Sequence, residues 1–234
     1  MKDAQNKKPA EEIFFAYHQL RTPLISSKWI AEMLLKGEAG TINPEQESLL
    51  KDLYSAIGHA NRLVGHLLST ARIDSGELHV KPESVDLERV YSDVIKEFQP
   101  MIVKKSHTLV FKKPKDLPRV NTDPRYLQEI LDNLISNSIK YTPDKGKIEL
   151  SINAEKSFFL FTVKDNGMGI PKAQQKKIFN KFFRADNAVQ KSNDGTGLGL
   201  YIVNGLAKSL GGKIWFESSE NKGTTFYFRL PIKY

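Results

Sequence analysis

The chain is organised around residues 14–24, which read Phe14-Phe15-Ala16-Tyr17-His18-Gln19-Leu20-Arg21-Thr22-Pro23-Leu24. His18 lies one position past an apolar seam, on its flank, where an imidazole can reach solvent. Pro23 lacks a backbone donor and leaves the carbonyl of Gln19 without its helical partner. Taken alone, such a histidine is most simply a surface residue of an amphipathic helix. The seam has alternating spacings of four and three, which predict a helix facing a partner helix; its members are Ile13, Tyr17, Leu20, Leu24, Ser27, Ala31 and Leu34.

A second helix with the same seam follows a break at Gly37, Gly40 and Asn43-Pro44. Asn43 is a suitable cap and Pro44 suits the first helical position. Two such helices predict an antiparallel hairpin, and because one hairpin cannot bury both seams, we expect two copies to form a homodimeric four-helix bundle. The second seam consists of Leu50, Leu53, Ile57, Ala60, Val64, Leu67 and Ala71.

Composition limits the classes of function. The 234 residues include no cysteine, which excludes disulfides and thiolate metal sites. No apolar run reaches the roughly 18 to 20 residues that span a bilayer, so we expect no membrane span, a cytoplasmic location, and any anchor outside this chain. The first 76 residues carry equal numbers of basic and acidic side chains, so the net charge of +8 lies in the remainder. Its basic residues are scattered, which favours a polyphosphate or an acidic partner over nucleic acid.

The pattern changes after Gly76, and we expect a helical domain over 1–76 and a second domain over 77–234. The first helix should begin near Glu11, after a frayed polar end. In the second domain, helices and strands mix without strict βαβ alternation, which predicts an α/β sandwich with one mixed sheet covered by helices, and an α+β chain overall. The expected helices are 87–104, 124–140 and 197–210, and the expected strands are 107–111, 147–154, 158–164, 212–218 and 224–230.

Four polar clusters in the second domain suit a nucleotide. The first lies on one face of the helix near residue 140, where an amide oxygen suits Mg²⁺, a lysine suits phosphate and a tyrosine can stack on a base. Its members are Asn133, Asn137, Lys140 and Tyr141. Each of these residues taken singly would also suit an ordinary polar helix face.

The second cluster, Asp165-Asn166-Gly167-Met168-Gly169-Ile170, follows a strand. Its carboxylate can accept from an adenine amino group, and its glycines let backbone approach a base. An ordinary strand-ending turn would explain the same residues. The third cluster opens a helix, where backbone N–H groups favour phosphate, and consists of Gly195, Thr196, Gly197, Leu198, Gly199 and Leu200. Residues 185–196 before this helix are polar and unpatterned, as a mobile lid would be. The fourth, Gly223-Thr224-Thr225-Phe226, is a weak signal alone.

These clusters, together with residues 18–24, resemble the conserved boxes of bacterial sensor histidine kinases. Residues 18–24 resemble the phospho-acceptor box, and residues 133–141, 165–170 and 195–200 resemble the N, G1 and G2 boxes. Residues 178–184, Ile178-Phe179-Asn180-Lys181-Phe182-Phe183-Arg184, resemble the F box. The resemblance covers about residues 10–232, and five boxes in family order are highly specific.

The resemblance implies a dimerisation and phosphotransfer hairpin followed by a Bergerat-type ATP-binding domain. It implies that ATP and Mg²⁺ bind in the second domain, with Asn137 on the metal, Asp165 on adenine, and Lys140 and Arg184 on phosphates. We place Thr225 of the fourth cluster in the same site. The phosphoryl group is expected to pass from His18 to the aspartate of a separate response-regulator receiver domain.

One residue departs from the family pattern. The family usually has Glu or Asp directly after the histidine, and this chain has Gln19. A neutral amide cannot take a proton, so Gln19 bears on the rate of autophosphorylation and, together with Thr22, on the balance of kinase and phosphatase activity in either direction. A neutral imidazole is itself a nucleophile. Thr22 matches the position linked in this family to dephosphorylation of the partner. Two alternatives stay open: an ATPase clamp of the same nucleotide fold, and a dimeric docking platform without kinase activity.

Overall fold

Two long helices form the N-terminal part of the chain, α1 (Lys2–Leu35) and α2 (Pro44–Ser75), and they pack against each other as a hairpin. The computed structural model describes residues 2–191 and 195–232, with side chains described from residue 19 onward. The chain divides into two units, Met1–Glu77 and Leu78–Tyr234. Within the described residues, no helix combines the length and the hydropathy needed to cross a membrane.

The turn of the hairpin follows the sequence prediction. The Asn43 side chain accepts from the N–H of Gln46 at 2.8 Å, and the Gln46 side chain accepts from the N–H of Asn43 at 2.9 Å. Helix α2 then begins with Pro44 and ends at Ser75, and the capping residue Gly76 that follows has a left-handed φ of 71°. The expected start of α1 near Glu11 was wrong. The helix begins at Lys2, and the heptad pattern could not locate this first part because the polar residues before Glu11 carry no apolar seam.

The two seams are only partly covered within one hairpin. Ala31 and Ile57 are buried. Leu20, Leu53 and Leu67 belong to the same seams, yet each remains 50% exposed. Apolar side chains at heptad positions that stay this exposed are typical of a surface that pairs with another helix.

The second unit contains a five-stranded sheet, whose strands lie in the order β2 (Thr108–Lys112), β4 (Lys147–Ala154), β5 (Phe158–Asp165), β7 (Gly223–Pro231) and β6 (Lys213–Ser219). Strand β2 is parallel to β4 and every other pair is antiparallel, which confirms the predicted mixed sheet. Helix α4 (Pro124–Tyr141) packs against α3 (Leu87–Lys104) and α6 (Gly199–Ser209). The buried core between the helices and the sheet includes Phe159, Phe161 and Phe228.

Four short elements were not predicted from the sequence. Strands β1 (Glu83–Val85) and β3 (Val120–Thr122) form a separate two-stranded sheet, and a 3-10 helix covers Lys172–Lys177. Residues within the expected lid form helix α5 (Asp186–Lys191). Elements of three to six residues are too short for a periodic apolar pattern, so pattern analysis could not find them.

Candidate functional site

The C-terminal half of α4 carries four of the predicted site residues. Asn133 is buried, and its Nδ2 donates to the carbonyl of Glu129 at 2.8 Å. Its Oδ1 lies 2.6 Å from the position that a Cβ on Gly199 would occupy, so a side chain at the first residue of α6 would displace the Asn133 amide. Asn137, Lys140 and Tyr141 follow on α4 and are half-buried. The face of α4 that these four residues were predicted to share therefore lies beside the start of α6.

Two cations meet at Gly195. A Cβ on this glycine would lie 3.1 Å from Nζ of Lys140 and 3.3 Å from Nε of Arg184. Arg184 is also hydrogen-bonded to the side chain of Tyr141 and donates to the carbonyl of Ala188 at 2.8 Å. Burial raises the pKa of Tyr141, while the charge and hydrogen bond of Arg184 oppose that rise. Lysine and arginine around a residue without a side chain make a site suited to an anion such as phosphate.

Asp165 ends strand β5 and is buried. Its Oδ1 accepts from the N–H groups of Gly167 at 2.8 Å and Thr224 at 3.2 Å, and the hydroxyl of Ser138 lies 3.5 Å from Oδ2. Burial raises the pKa of Asp165 even though these three donors lower it. Oδ2, with one long contact among the described residues, is the oxygen that has room to accept from an amino group.

The loop after Asp165 is packed tightly against α4 and β6. A Cβ on Gly167 would lie 2.6 Å from the carbonyl oxygen of Tyr141, and a Cβ on Gly169 would lie 2.0 Å from that of Ser219. Gly169 also has a φ of 65°. Ile170 is fixed by its N–H, which donates to the hydroxyl of Ser218 at 2.9 Å. Both glycines are therefore required by close backbone approach and not only by a turn.

Strand β7 brings Thr224, and not the predicted Thr225, to the buried carboxylate. Thr225 pairs with Lys164 and occupies the neighbouring position of the strand, which faces the other side of the sheet. Thr224 shares its side with the core residues Phe226 and Phe228. That alternation is visible in the sequence and could have selected Thr224.

The loop that leads into α6 has a defined shape. Gly197 has a φ of 66°, and a Cβ there would lie 2.5 Å from the carbonyl carbon of Phe182. The hydroxyl of Thr196 accepts from the N–H of Leu198 at 3.0 Å, and Leu198 is buried. The helix begins at Gly199, two residues later than expected, because the left-handed Gly197 cannot be part of it.

The expected lid is partly helical. Asp186 and Gln174 are joined by two hydrogen bonds, from the N–H of Asp186 to Oε1 of Gln174 at 3.0 Å and from Nε2 of Gln174 to Oδ2 of Asp186. Nδ2 of Asn187 donates to the carbonyl of Gly169 at 3.0 Å. Helix α5 is thus held by residues outside the segment, which its own composition could not reveal. Residues 192–194 of the expected lid lie outside the described residues.

The phospho-acceptor candidates lie on α1. The helix includes His18, whose side chain lies outside the described residues, and it continues through Pro23. Gln19 and Thr22 are exposed. Thr22 is one helical turn after His18, so the two positions share a face of α1.

Two family models match the chain. Residues 16–76 match the His Kinase A (phospho-acceptor) domain, and residues 122–234 match the histidine kinase-, DNA gyrase B-, and HSP90-like ATPase. These two matches correspond to the hairpin and to the part of the second unit that contains the polar clusters.

Related proteins are histidine kinases and sensory kinases. The chain is 36% identical over 221 residues to sensor histidine kinase WalK of Bacillus subtilis (strain 168), covering 92% of this chain and 35% of WalK. It is 33% identical over 217 residues to the adaptive-response sensory kinase SasA of Synechococcus sp. (strain JA-3-3Ab), covering 92% of this chain and 57% of SasA. The chain therefore spans between about a third and somewhat over half of these relatives.

A solved structure shows the same fold over nearly the whole chain. Full-length ShkA, crystallised in complex with AMPPNP, superposes with a TM-score of 0.74 at 27% identity, covering 95% of this chain and 46% of ShkA. The resemblance that the five boxes indicated is thus confirmed by sequence and by fold. The chain belongs to the sensor histidine kinase family and contains the family's phospho-acceptor and ATPase domains.

Proposed function

We propose that this chain binds ATP in its second unit, transfers the γ-phosphoryl group to His18, and passes it to an aspartate on a receiver domain of a separate protein. The observation that carries the proposal is the position of two cations close to Gly195, in the loop before α6. One is Nζ of Lys140, which lies beside Tyr141 at the end of α4, and the other is Nε of Arg184. A buried carboxylate for a base and a paired cation site for phosphates together suit a nucleoside triphosphate.

The nucleotide is proposed to lie between these two groups. Oδ2 of Asp165 would accept from the adenine amino group, and Gly167 and Gly169, which pack against the backbone of Tyr141 and Ser219, would hold the loop beside the base. Lys140 and Arg184 would meet the phosphates. Nζ of Lys140 and Nε of Arg184 both lie within 3.3 Å of the position that a Cβ on Gly195 would occupy. The space beside Gly195 therefore has the positive charge that a phosphate group requires.

Asn137 is proposed as the protein ligand of Mg²⁺. In the described part of the chain, no group of three or more carboxylate or histidine side chains is arranged to hold a metal ion. A site made from one amide oxygen, phosphate oxygens and waters fits the usual coordination of Mg²⁺. When bound, the ion would neutralise charge on the phosphates.

The transfer at His18 is proposed as direct displacement. A nitrogen of the neutral imidazole attacks the γ-phosphorus, the bond to the β–γ bridging oxygen breaks, and ADP leaves. The imidazole proton then passes to solvent, because the neighbouring Gln19 is a neutral amide that cannot accept it. Phosphatase activity toward the receiver would use the exposed Thr22, which shares a helix face with His18.

A homodimer is proposed through the hairpin. The half-exposed Leu20, Leu53 and Leu67 support this assembly, because they occupy heptad positions that a second hairpin would cover. Two copies related by a twofold axis would each supply the same surface.

Incubation of the full chain with γ-labelled ATP and Mg²⁺ tests the proposal. We expect label on the protein that is lost in acid and kept in base, as a phosphorus–nitrogen bond requires. His18→Ala should bind ATP and take up no label, whereas the control His59→Ala should be labelled like the wild type. Release of labelled phosphate without protein label would instead favour the ATPase clamp, and ATP binding without either product would favour the docking platform.

A further inference from the structure

Lys105 lies directly after α3 and outside every motif described above, yet it contacts the end of α4. Its Nζ donates to the carbonyl of Ile139 at 2.8 Å, to that of Lys140 at 3.2 Å and to that of Thr142 at 3.3 Å. A lysine has three donors, and all three reach carbonyls of one short segment. That segment carries the Lys140-Tyr141 pair of the phosphate site.

These contacts complete the C-terminal turn of α4. The last carbonyls of a helix have no partner within it. Here the carbonyl of Ser138 accepts from the N–H of Thr142 at 3.1 Å, and that of Tyr141 accepts from the N–H of Met168 at 3.3 Å. Lys105 supplies the donors for the two carbonyls between them. A positive charge at this end also interacts favourably with the helix dipole.

Lys105 is itself held in place by its neighbours. Its carbonyl accepts from the N–H of Lys145 at 2.8 Å, and the N–H of Thr108 donates to the carbonyl of Gly146 at 2.9 Å. Nε2 of His107 lies 3.1 Å from the carbonyl oxygen of Pro143. The segment 105–108 is thus joined to residues 143–146, the loop that follows α4, and a group held by such a shell keeps a fixed geometry.

We infer that Lys105 is a positioning residue for the phosphate end of the nucleotide site: it fixes the backbone of Lys140 and thereby directs that side chain toward Gly195. The inference rests on the proposed binding of ATP. It concerns the phosphates and not the base, because the described contacts of Asp165 are with Gly167, Thr224 and Ser138 and do not involve Lys105.

Lys105→Met removes the three donors and keeps the length of the side chain. In calorimetric titrations of the full chain, we expect the affinity for ATP with Mg²⁺ to fall about tenfold, the effect of losing roughly one charge-assisted hydrogen bond. The affinity for adenosine, which has no phosphates, should stay within about twofold of the wild type and reports that the pocket is folded. Lys104→Met, at an exposed neighbouring position, should change neither affinity.

A double-mutant cycle tests whether the effect passes through Lys140. If it does, Lys105→Met should cost little further ATP affinity in a Lys140→Ala background. Equal losses for ATP and adenosine, an unchanged ATP affinity, or full additivity in the cycle would each overturn the inference while leaving ATP binding by the wild type intact. Failure of the wild type itself to bind ATP would overturn the proposed function and this inference with it.

Discussion

The N–H of Thr224 donates to Oδ1 of Asp165 at 3.2 Å, so the first residues of β7 fix the carboxylate at the end of β5. With Gly167 donating to the same oxygen, Oδ1 is occupied by backbone and Oδ2 faces the hydroxyl of Ser138 at 3.5 Å. The two oxygens therefore have different roles. Oδ1 anchors the loop, and Oδ2 is placed to accept a hydrogen bond from a ligand.

Replacing Asp165 by Asn tests that division. The amide keeps the size of the side chain but offers only one acceptor oxygen, so either the anchor or the ligand contact is lost. We expect ATP affinity to fall by at least about tenfold, corresponding to about 1.4 kcal/mol, and the preference for ATP over GTP to narrow. Titration of both nucleotides measures the two affinities, with Asp116→Asn at an exposed position as control. Full retention of the ATP preference would show that the base is recognised elsewhere.

Two glycines of one loop make a matched pair. In Gly197→Ala the new Cβ would lie 2.5 Å from backbone of Phe182 and the residue would keep a φ of 66°, so we expect a loss of about 2 kcal/mol in the free energy of unfolding. In Gly195→Ala the nearest described atoms to the new methyl group are the movable side-chain ends of Lys140 and Arg184. Its stability should stay within about 0.5 kcal/mol of the wild type, while ATP affinity falls. Urea unfolding and nucleotide titration separate the two effects, and equal loss of stability in both variants would contradict the assignment.

Asp132 on α4 gives the second unit a pH dependence. Burial, with repulsion from Glu97 and Glu129, raises the pKa of Asp132 to about 7, and its buried Oδ1 has no hydrogen-bond partner among the described residues. The folded state thus binds this proton more tightly than the unfolded state. The resulting stabilisation is complete below about pH 4, the unfolded pKa, and is lost as the pH rises through 7.

Asp132→Asn should remove that dependence. Above about pH 8 the variant should be more stable than the wild type by about 1 to 3 kcal/mol, and the difference should shrink toward acid pH. Urea unfolding at several pH values measures it, with Asp93→Asn on the exposed side of α3 as control. A constant difference between variant and wild type across pH would show that Asp132 does not titrate in this range.

The helical hairpin was the most predictable part of the chain, because its signals are local. Heptad spacing located both helices, and Asn43 and Pro44 marked the start of α2 as observed. The bounds of strands β4 and β5 also agree closely with the predicted strands, because alternating apolar residues define both of them. In each case the signal lies within the residues of the element itself.

Contacts between distant segments could not be predicted in this way. Lys105 caps a helix that ends 36 residues later along the chain, and Gln174 holds α5 through Asp186. Neither residue belongs to a periodic or recognisable motif. Thr224 and Thr225 belong to the same short motif and differ in the side of β7 that they face, which only the alternation of the strand distinguishes.

The exposed seam of the hairpin predicts the assembly. Leu53 is 50% exposed at a heptad position, so Leu53→Asp should place a charge in the dimer interface and shift the chain to monomer at micromolar concentration. The control Ser55→Asp lies on the outer side of α2 and should leave the dimer unchanged. Sedimentation of the full chain measures the mass. A wild-type monomer, or dissociation by both variants, would contradict a seam-mediated four-helix bundle.

The site of phosphorylation tests the central claim most directly. The full chain is incubated with ATP and Mg²⁺, kept at alkaline pH, digested, and analysed by peptide mass spectrometry. The account predicts one phosphoryl group on the peptide that contains His18, located on that residue by fragmentation and absent from His18→Ala. A phosphoryl group on another residue, or ADP formation without any modified peptide, would contradict it.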